Sequence, residues 1–304
     1  LRVDVHQHIW TAPLLDRLAA RTTLPLARRG NGLTVLHCAA EQPYVIDVTA
    51  EAPPRRAALL HEAGLDLALV ALSSPIGIEA LPRESALELI DAHLRGVTAL
   101  PPNFAAWGPV ALDRADPDDV DVLLARGCVG ISLPAGSIST PDRLYSVGPI
   151  LERTAAHGAP LFVHPGPGIV ERQVAVSLGE PLWWRALTDY VAQMHSAWLT
   201  FATLGRRDHS ELEVVFAMLA GCAPLQSERL ETRGGPALDL RDPRLFYDTS
   251  SYGPAAVETM ARRVGPDQLV YGSDCPVIKP AITGRDALLQ ASGAHLVARI
   301  GAAA

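Results

Sequence analysis

Two histidines one residue apart open the chain, in Val3-Asp4-Val5-His6-Gln7-His8. A strand has a side-chain period of two, so His6 and His8 project to the same side. Two imidazoles side by side at a strand end can chelate one ion through their nitrogens. Two histidines on a surface strand would read the same way. A second candidate is His164, which ends the apolar run Leu161-Phe162-Val163 and is followed by Pro165-Gly166. Taken alone, it could be a strand-capping histidine bonded to backbone. The third is Asp274, which closes Leu269-Val270-Tyr271-Gly272-Ser273, and a lone aspartate there could simply cap a turn. Together the three signals reinforce one another, because each places a residue of ligand type at the end of an apolar strand.

Short runs rich in Val, Leu and Ile recur along the chain at residues 2–6, 66–72, 96–100, 129–133, 161–164, 212–217, 245–248 and 269–272. Between them lie stretches with helical spacing of apolar residues, at 55–63, 84–94, 118–125, 147–156, 181–204, 224–233 and 254–263, and a last one at 286–300. Strands that alternate with helices make a parallel sheet, since each parallel connection needs a crossover. Eight such units predict a single (β/α)₈ barrel over residues 1–304. His6, His8, His164 and Asp274 then share the C-terminal rim, where barrel enzymes keep their sites. No G-x-G-x-x-G follows the first strand, which lowers the nucleotide-binding alternative. Gly64, Gly96, Gly127 and Gly158 each follow a helical stretch, as left-handed caps would. Residues 11–54 break the rhythm and are too long for a plain loop. Alternation at 33–38 and 44–48 predicts a small hairpin inserted after the first strand, lying over the catalytic face and shaping the pocket.

With the H-x-H of strand one, the V-H-P of strand five and the G-S-D-x-P of strand eight, the chain resembles the amidohydrolase superfamily. It is most similar to the amidohydrolase-related branch that includes aminocarboxymuconate-semialdehyde decarboxylase, related nonoxidative decarboxylases and lactone hydrolases. The resemblance runs from Val3 to about Ile300 and includes the D-T-S-S-Y run at 248–252 and the strand-four pattern at 127–133. It implies one divalent metal ion, usually zinc, bound by His6, His8, His164 and Asp274. Binuclear relatives carry a modified lysine at the end of strand four, whereas this strand reads Val129-Gly130-Ile131-Ser132-Leu133. One departure concerns strand six, which in the family ends in A-H-x-G. Here Met218 stands at the histidine's position, and a thioether is a weak acceptor without a transferable proton.

An ion held this way lowers the pKa of a bound water toward roughly 7. Asp274 is both a ligand and the nearest group able to accept and return a proton. The leading expectation is therefore a metal-dependent hydrolase acting on an ester, lactone or amide of a small molecule. The runner-up is nonoxidative decarboxylation of an aromatic or unsaturated carboxylic acid. A third reading is a catalytically weak metal-binding barrel, given Met218. Asp248, at the end of strand seven, is a candidate for orienting a ligand histidine from behind. Met218, Lys279 and Arg172 are candidate substrate contacts, the two cations for an anionic group. His37, His61, His93, His157, His209 and His295 read as structural or solvated, and His195 as packing within a long helix.

The net charge of −7 argues against a nucleic-acid partner, and no run of about 18 apolar residues suggests a membrane span. Lys279 is the only lysine. Cys38, Cys128, Cys222 and Cys275 are widely spaced without a CxxC pair, so free thiols in a reducing cytoplasm are expected. A small-molecule substrate is the expected partner, with self-association into a homodimer left open.

Overall fold

The computed structural model describes residues 1–39, 41–170, 179–278 and 286–297. Eight parallel strands form the main sheet: β1 (Val3–Gln7), β5 (Leu67–Val70), β6 (Phe104–Pro109), β7 (Gly130–Pro134), β8 (Leu161–His164), β9 (Val214–Phe216), β10 (Leu245–Asp248) and β11 (Leu269–Val270). Neighbours in space follow chain order from β1 to β11. The last strand returns to the first: the amide of Val5 donates to Tyr271 O at 2.9 Å, that of Asp274 to His6 O at 2.8 Å, and that of His8 to Cys275 O at 2.8 Å. The sheet thus closes into the expected (β/α)₈ barrel.

The strands are buried on both faces, as a parallel sheet covered by helices requires. Period two sorts their side chains. Val3 and Val5 face outward, where Val5 packs against Gly293. Asp4, His6 and His8 therefore face the barrel interior. Beneath the histidines the interior is filled by Phe162, 5.1 Å from the His6 ring, and by Trp107, stacked on Phe162 at 5.1 Å. The Trp107 indole N–H donates to Val5 O at 2.9 Å, so its polar atom is satisfied inside the core. Truncating either ring would cost about 3–5 kcal/mol.

The third barrel strand is not at 96–100. Those residues end or follow the helix Arg83–Thr98, and the strand is β6. Gly96 is a contact glycine and no cap: a Cβ there would lie 1.9 Å from Thr11 Oγ1, where the helix Ala12–Ala19 approaches. The strand escapes a propensity reading because its sequence, Phe-Ala-Ala-Trp-Gly-Pro, has no β-branched residue. Gly64, Gly127 and Gly158 do have positive φ, as caps would.

The inserted segment is larger than a hairpin. It forms an antiparallel three-stranded sheet of β2 (Leu26–Gly30), β3 (Leu33–His37) and β4 (Tyr44–Ile46), preceded by the helix Ala12–Ala19. The Asn31-Gly32 turn, both residues at positive φ, joins β2 to β3. The helix expected over 181–204 is divided into Trp184–Leu187 and Asp189–Thr200, then widens into a π turn at Phe201–Gly205. No helix among the described residues is long and apolar enough to cross a membrane.

Candidate metal centre

The structure brings His6, His8, His164 and Asp274 together on the C-terminal rim, all buried, with one ligand atom of each within 4.8 Å of the others. His8 Nε2 lies 3.2 Å from His6 Nε2 and 3.2 Å from His164 Nε2. Asp274 Oδ1 lies 3.2 Å from His8 Nε2 and 3.5 Å from His6 Nε2. The other ring nitrogens are all engaged. His8 Nδ1 donates to Ala71 O at 2.8 Å and His164 Nδ1 to Pro165 O at 2.8 Å. His6 Nδ1 donates to Asp248 Oδ2 at 2.8 Å. Carbonyls and carboxylates can only accept, so each Nδ1 carries a proton and the three Nε2 atoms face one another. Three such nitrogens and a carboxylate at these spacings need a cation among them, either a metal ion or a proton on one of the rings. Donors around a tetrahedral ion with bonds of roughly 2.0–2.1 Å would be about 3.3 Å apart, close to what is found. The donor set fits a divalent ion, and these distances do not choose among metals.

Electrostatics around His6 point the same way. Burial disfavours its charged form, yet the carboxylates of Asp248 and Asp274 and the hydrogen bond to Asp248 outweigh that and raise its pKa to about 9. The site is therefore already arranged to hold positive charge. At His164 burial, with His6 and His8 nearby, drives the pKa well below 6.5, leaving a neutral ring.

Asp248 does more than face His6. Its Oδ1 accepts from the amides of Met218 at 3.0 Å and Ser250 at 2.9 Å and from the Ser250 hydroxyl. A Cβ on Gly272 would lie 2.7 Å from Asp248 Cγ, so the glycine of the strand-eight motif makes room for this carboxylate. Met218 is buried at the end of β9 with φ 53°, and the next four residues, Leu219 to Cys222, also have positive φ. Lys279 and Arg172 lie outside the described residues.

Several buried residues that the motifs did not single out support the ligands. Asp4 Oδ1 accepts from the amides of His6 at 3.1 Å and Ser273 at 3.0 Å, which ties strand one to the Asp274 loop. Gln7 donates to Asp4 at 2.8 Å and accepts from Arg56 at 2.7 Å, and Arg56 also reaches Glu51 at 3.2 Å. Asp4 could have been found, because it shares the inward face of His6 and His8. Arg56 and Glu51 carry no local signal. His93 is buried beside His8 with neither ring nitrogen hydrogen-bonded, and burial followed by the nearby His8 lowers its pKa to about 3.

A cavity of about 470 Å³ adjoins the cluster, lined by Trp10, Ser73 and Ile278, each just beyond His8, Ala71 and Asp274 respectively. The inserted sheet supplies Leu36 and Tyr44 to its walls, and the segment before the helix Asp189–Thr200 supplies Trp183. The insertion therefore contributes part of this cavity's wall. None of the four clustered residues is itself part of this cavity's wall, nor of a larger cleft of about 770 Å³ lined by Leu1, Asp66 and Arg126 among others.

No protein-family model matches the sequence, and no curated protein is similar to it. Solved structures do match. The IDCase of Metarhizium anisopliae superposes with a TM-score of 0.72 at 18% identity, covering 98% of this chain and 91% of that one. A 5-carboxyvanillate decarboxylase from Sphingomonas paucimobilis gives 0.66 at 17% identity, covering 99% and 98%. A second 5-carboxyvanillate decarboxylase, from Novosphingobium aromaticivorans with bound manganese and 3-methoxy-4-hydroxy-5-nitrobenzoic acid, gives 0.64 at 15% identity, covering 96% and 91%. At these identities the likeness establishes the fold, and the chain is a (β/α)₈ barrel of the architecture these proteins share.

Proposed function

We propose that this chain is a metal-dependent nonoxidative decarboxylase of a small aromatic or unsaturated carboxylic acid, with one divalent ion held by His6, His8, His164 and Asp274. The observation that carries the reading is a preformed three-imidazole, one-carboxylate cluster beside a cavity walled mainly by apolar and aromatic side chains. Hydrolysis, the leading expectation from sequence, yields to the runner-up for two reasons. The end of β9 presents Met218, which can neither give nor take a proton. The barrels that superpose on this one include decarboxylases of aromatic acids. Zinc is the ion expected from sequence, while manganese occupies one of those structures. Both suit imidazole and carboxylate donors.

When bound, the ion supplies a Lewis acid that attracts the substrate's carboxylate end and withdraws electron density from it. The remaining work falls to the chain. Trp10, Tyr44 and Trp183 hold a flat ring and exclude water from it. Asp248 fixes the His6 ring through Nδ1, and Ala71 O and Pro165 O do the same for His8 and His164. Asp274 is the proton-handling group of the cluster nearest the cavity. As the bond between ring carbon and carboxyl carbon breaks, the carboxyl group leaves as CO₂. The electron pair left on the ring carbon takes one proton, delivered from the Asp274 carboxyl.

The test offers the metal-loaded protein a panel of hydroxybenzoates, aryl carboxylates, lactones and amides, following CO₂ release and acid release separately. CO₂ from an aryl carboxylate, lost in Asp274→Asn, is the expected result. Acid release from a lactone or amide without CO₂ would restore the hydrolase reading, and neither product would favour a barrel that binds metal without turnover.

A further inference from the structure

The three clustered histidines are each oriented through Nδ1, but by acceptors that are held unequally. His6 donates to Asp248, which the Met218 and Ser250 amides and the Ser250 hydroxyl fix in turn. His8 donates to Ala71 O, and the Ala71 amide donates to Gln7 O at 2.8 Å, continuing the pairing of β1 with β5. His164 donates to Pro165 O, the carbonyl of the very next residue, just past the end of β8. Proline has no N–H with which to tie down its own residue, and the glycine that follows has no side chain to pack. This carbonyl needs a hold from outside its loop.

Gln193 supplies it. The Gly166 amide donates to Gln193 Oε1 at 2.8 Å, and because an amide N–H can only donate, it is the oxygen of the side chain that faces it. Pro165 O and the Gly166 N–H belong to one peptide unit, which is trans and planar. They lie on opposite edges of the same rigid plate. The His164 imidazole donates to one edge and Gln193 accepts from the other, so the plate cannot turn without losing a bond. A hydrogen bond at the N–H also polarises the peptide and strengthens its carbonyl as an acceptor. The following peptide is tied as well, since Gly166 O accepts from the Gly136 amide at 2.8 Å. Glycine is required at 166 for the loop to pack this closely: a Cβ there would lie 2.7 Å from Ser74 Cβ and 3.0 Å from Pro134 Cβ. Gln193 acts from a fixed place, on the helix Asp189–Thr200, whose Met194, Ala197 and Trp198 are buried on the same stripe.

We propose that Gln193 is a positioning residue for His164: through the Pro165–Gly166 peptide it fixes the tautomer and direction of the ring, and so presents Nε2 to the metal ion. The inference rests on the metal centre of the proposed function and holds whether the reaction is decarboxylation or hydrolysis. The hold on the ring exists in metal-free protein, so it can be tested apart from metal binding. Methionine separates this role from simple packing. It has nearly the length of glutamine and, in its thioether, only a weak acceptor.

The experiment labels the histidine ring nitrogens and reads their tautomers by NMR in metal-free protein, assigning His164 by its loss in His164→Asn. Affinity for Zn²⁺ is measured on the same proteins by competition with a chelator. Wild-type protein should show His164 in the Nδ1–H form and a Gly166 amide protected from hydrogen exchange. Gln193→Met should mix the two tautomers of His164 and weaken Zn²⁺ binding about tenfold or more. The His8 tautomer should stay as it is, which a general loosening of the fold would not allow. Gln193→Glu, which restores an acceptor oxygen at the same place, should bring the affinity back to within about threefold of wild type. Either an unchanged His164 tautomer or an unchanged affinity in Gln193→Met overturns the proposal, as does equal weakening in Gln193→Glu. Wild-type protein alone can also refute it, through an unprotected Gly166 amide or a predominant Nε2–H form of His164, so the test does not depend on either variant folding. If the His164 tautomer follows Gln193 but no divalent ion binds, the hold on the ring stands and the metal centre fails.

Discussion

Two points on the barrel rim take the same unusual backbone conformation and use it differently. Beyond β11, Asp274 has φ 54°, and its amide donates to His6 O at 2.8 Å. At the end of β9, Met218 has φ 53°, and its amide donates to Asp248 Oδ1 at 3.0 Å. Aspartate tolerates this region with little penalty, and there it aims a carboxylate into the cluster. On strand six the left-handed path continues through Leu219, Ala220, Gly221 and Cys222, four of its five residues being non-glycine at a cost of about 1–2 kcal/mol each. Yet the side chain it presents has no acid–base chemistry. Such a turn persists only where its surroundings over-determine it, and here Asp248 ties it to His6. The backbone at strand six thus buttresses the site through a carboxylate on strand seven, while strand eight contributes a donor directly.

The largest effect should separate the two ends outright. Asp274→Ala should lose most of the bound metal and reduce turnover by a factor of about a hundred or more. Met218→Ala should keep the metal and change turnover only a few-fold, with most of its effect in KM. Elemental analysis with steady-state kinetics tests both. Metal retained in Asp274→Ala would refute the site, and turnover abolished in Met218→Ala with metal intact would refute the passive role given to strand six.

Asp248 joins the two ends, so its removal should come next in size. Asp248→Asn should weaken metal binding by about 10–100-fold, because His6 loses the partner that orients it. A pH signature accompanies this in metal-stripped protein. The pKa of His6 in the fold, about 9, exceeds its unfolded value near 6.5, so its contribution to stability is complete below pH 6.5 and is lost as pH rises through 9. Urea denaturation should show stability falling across that window in the wild-type protein and a shallower fall in Asp248→Asn. Equal slopes would mean that Asp248 does not set the charge on His6.

The smallest effect concerns strain alone. Ala220→Gly lifts the left-handed penalty but gives up a buried methyl group and some backbone order, so stability should change by less than about 0.5 kcal/mol in either direction. Ala256→Gly, in the helix Pro254–Val264, should instead cost about 1 kcal/mol. Thermal melts of the pair decide the matter. Equal losses would show that the turn at strand six stores no strain.

The four clustered residues were legible because each ends an apolar strand, and a barrel delivers every strand end to one rim. Asp4 was legible by the same period of two, though Arg56, which reaches it only through Gln7, was not. Strand β6 was misplaced to 96–100 because Val97 and Leu100 supply apolar character while the true strand contains Ala, Gly and Pro. The third strand of the insertion was missed because Leu26–Gly30 carries two arginines and a glycine, and only its pairing with Leu33–His37 makes it a strand.

By itself the sequence determined the alternation of strands and helices, hence the barrel, and with it the rim that gathers His6, His8, His164 and Asp274. Those follow from short, near-continuous apolar runs, the mark of strands buried on both faces, alternating with stretches of helical spacing. Only the tertiary structure decided that Asp248 serves His6 and Met218 at once, that Arg56 braces Gln7, and that Leu36 of the inserted sheet and Trp183 line one cavity. Such pairings join residues that are far apart in the chain. They depend on where closure of the barrel and docking of the inserted sheet place side chains in space, and no spacing along the chain encodes that directly.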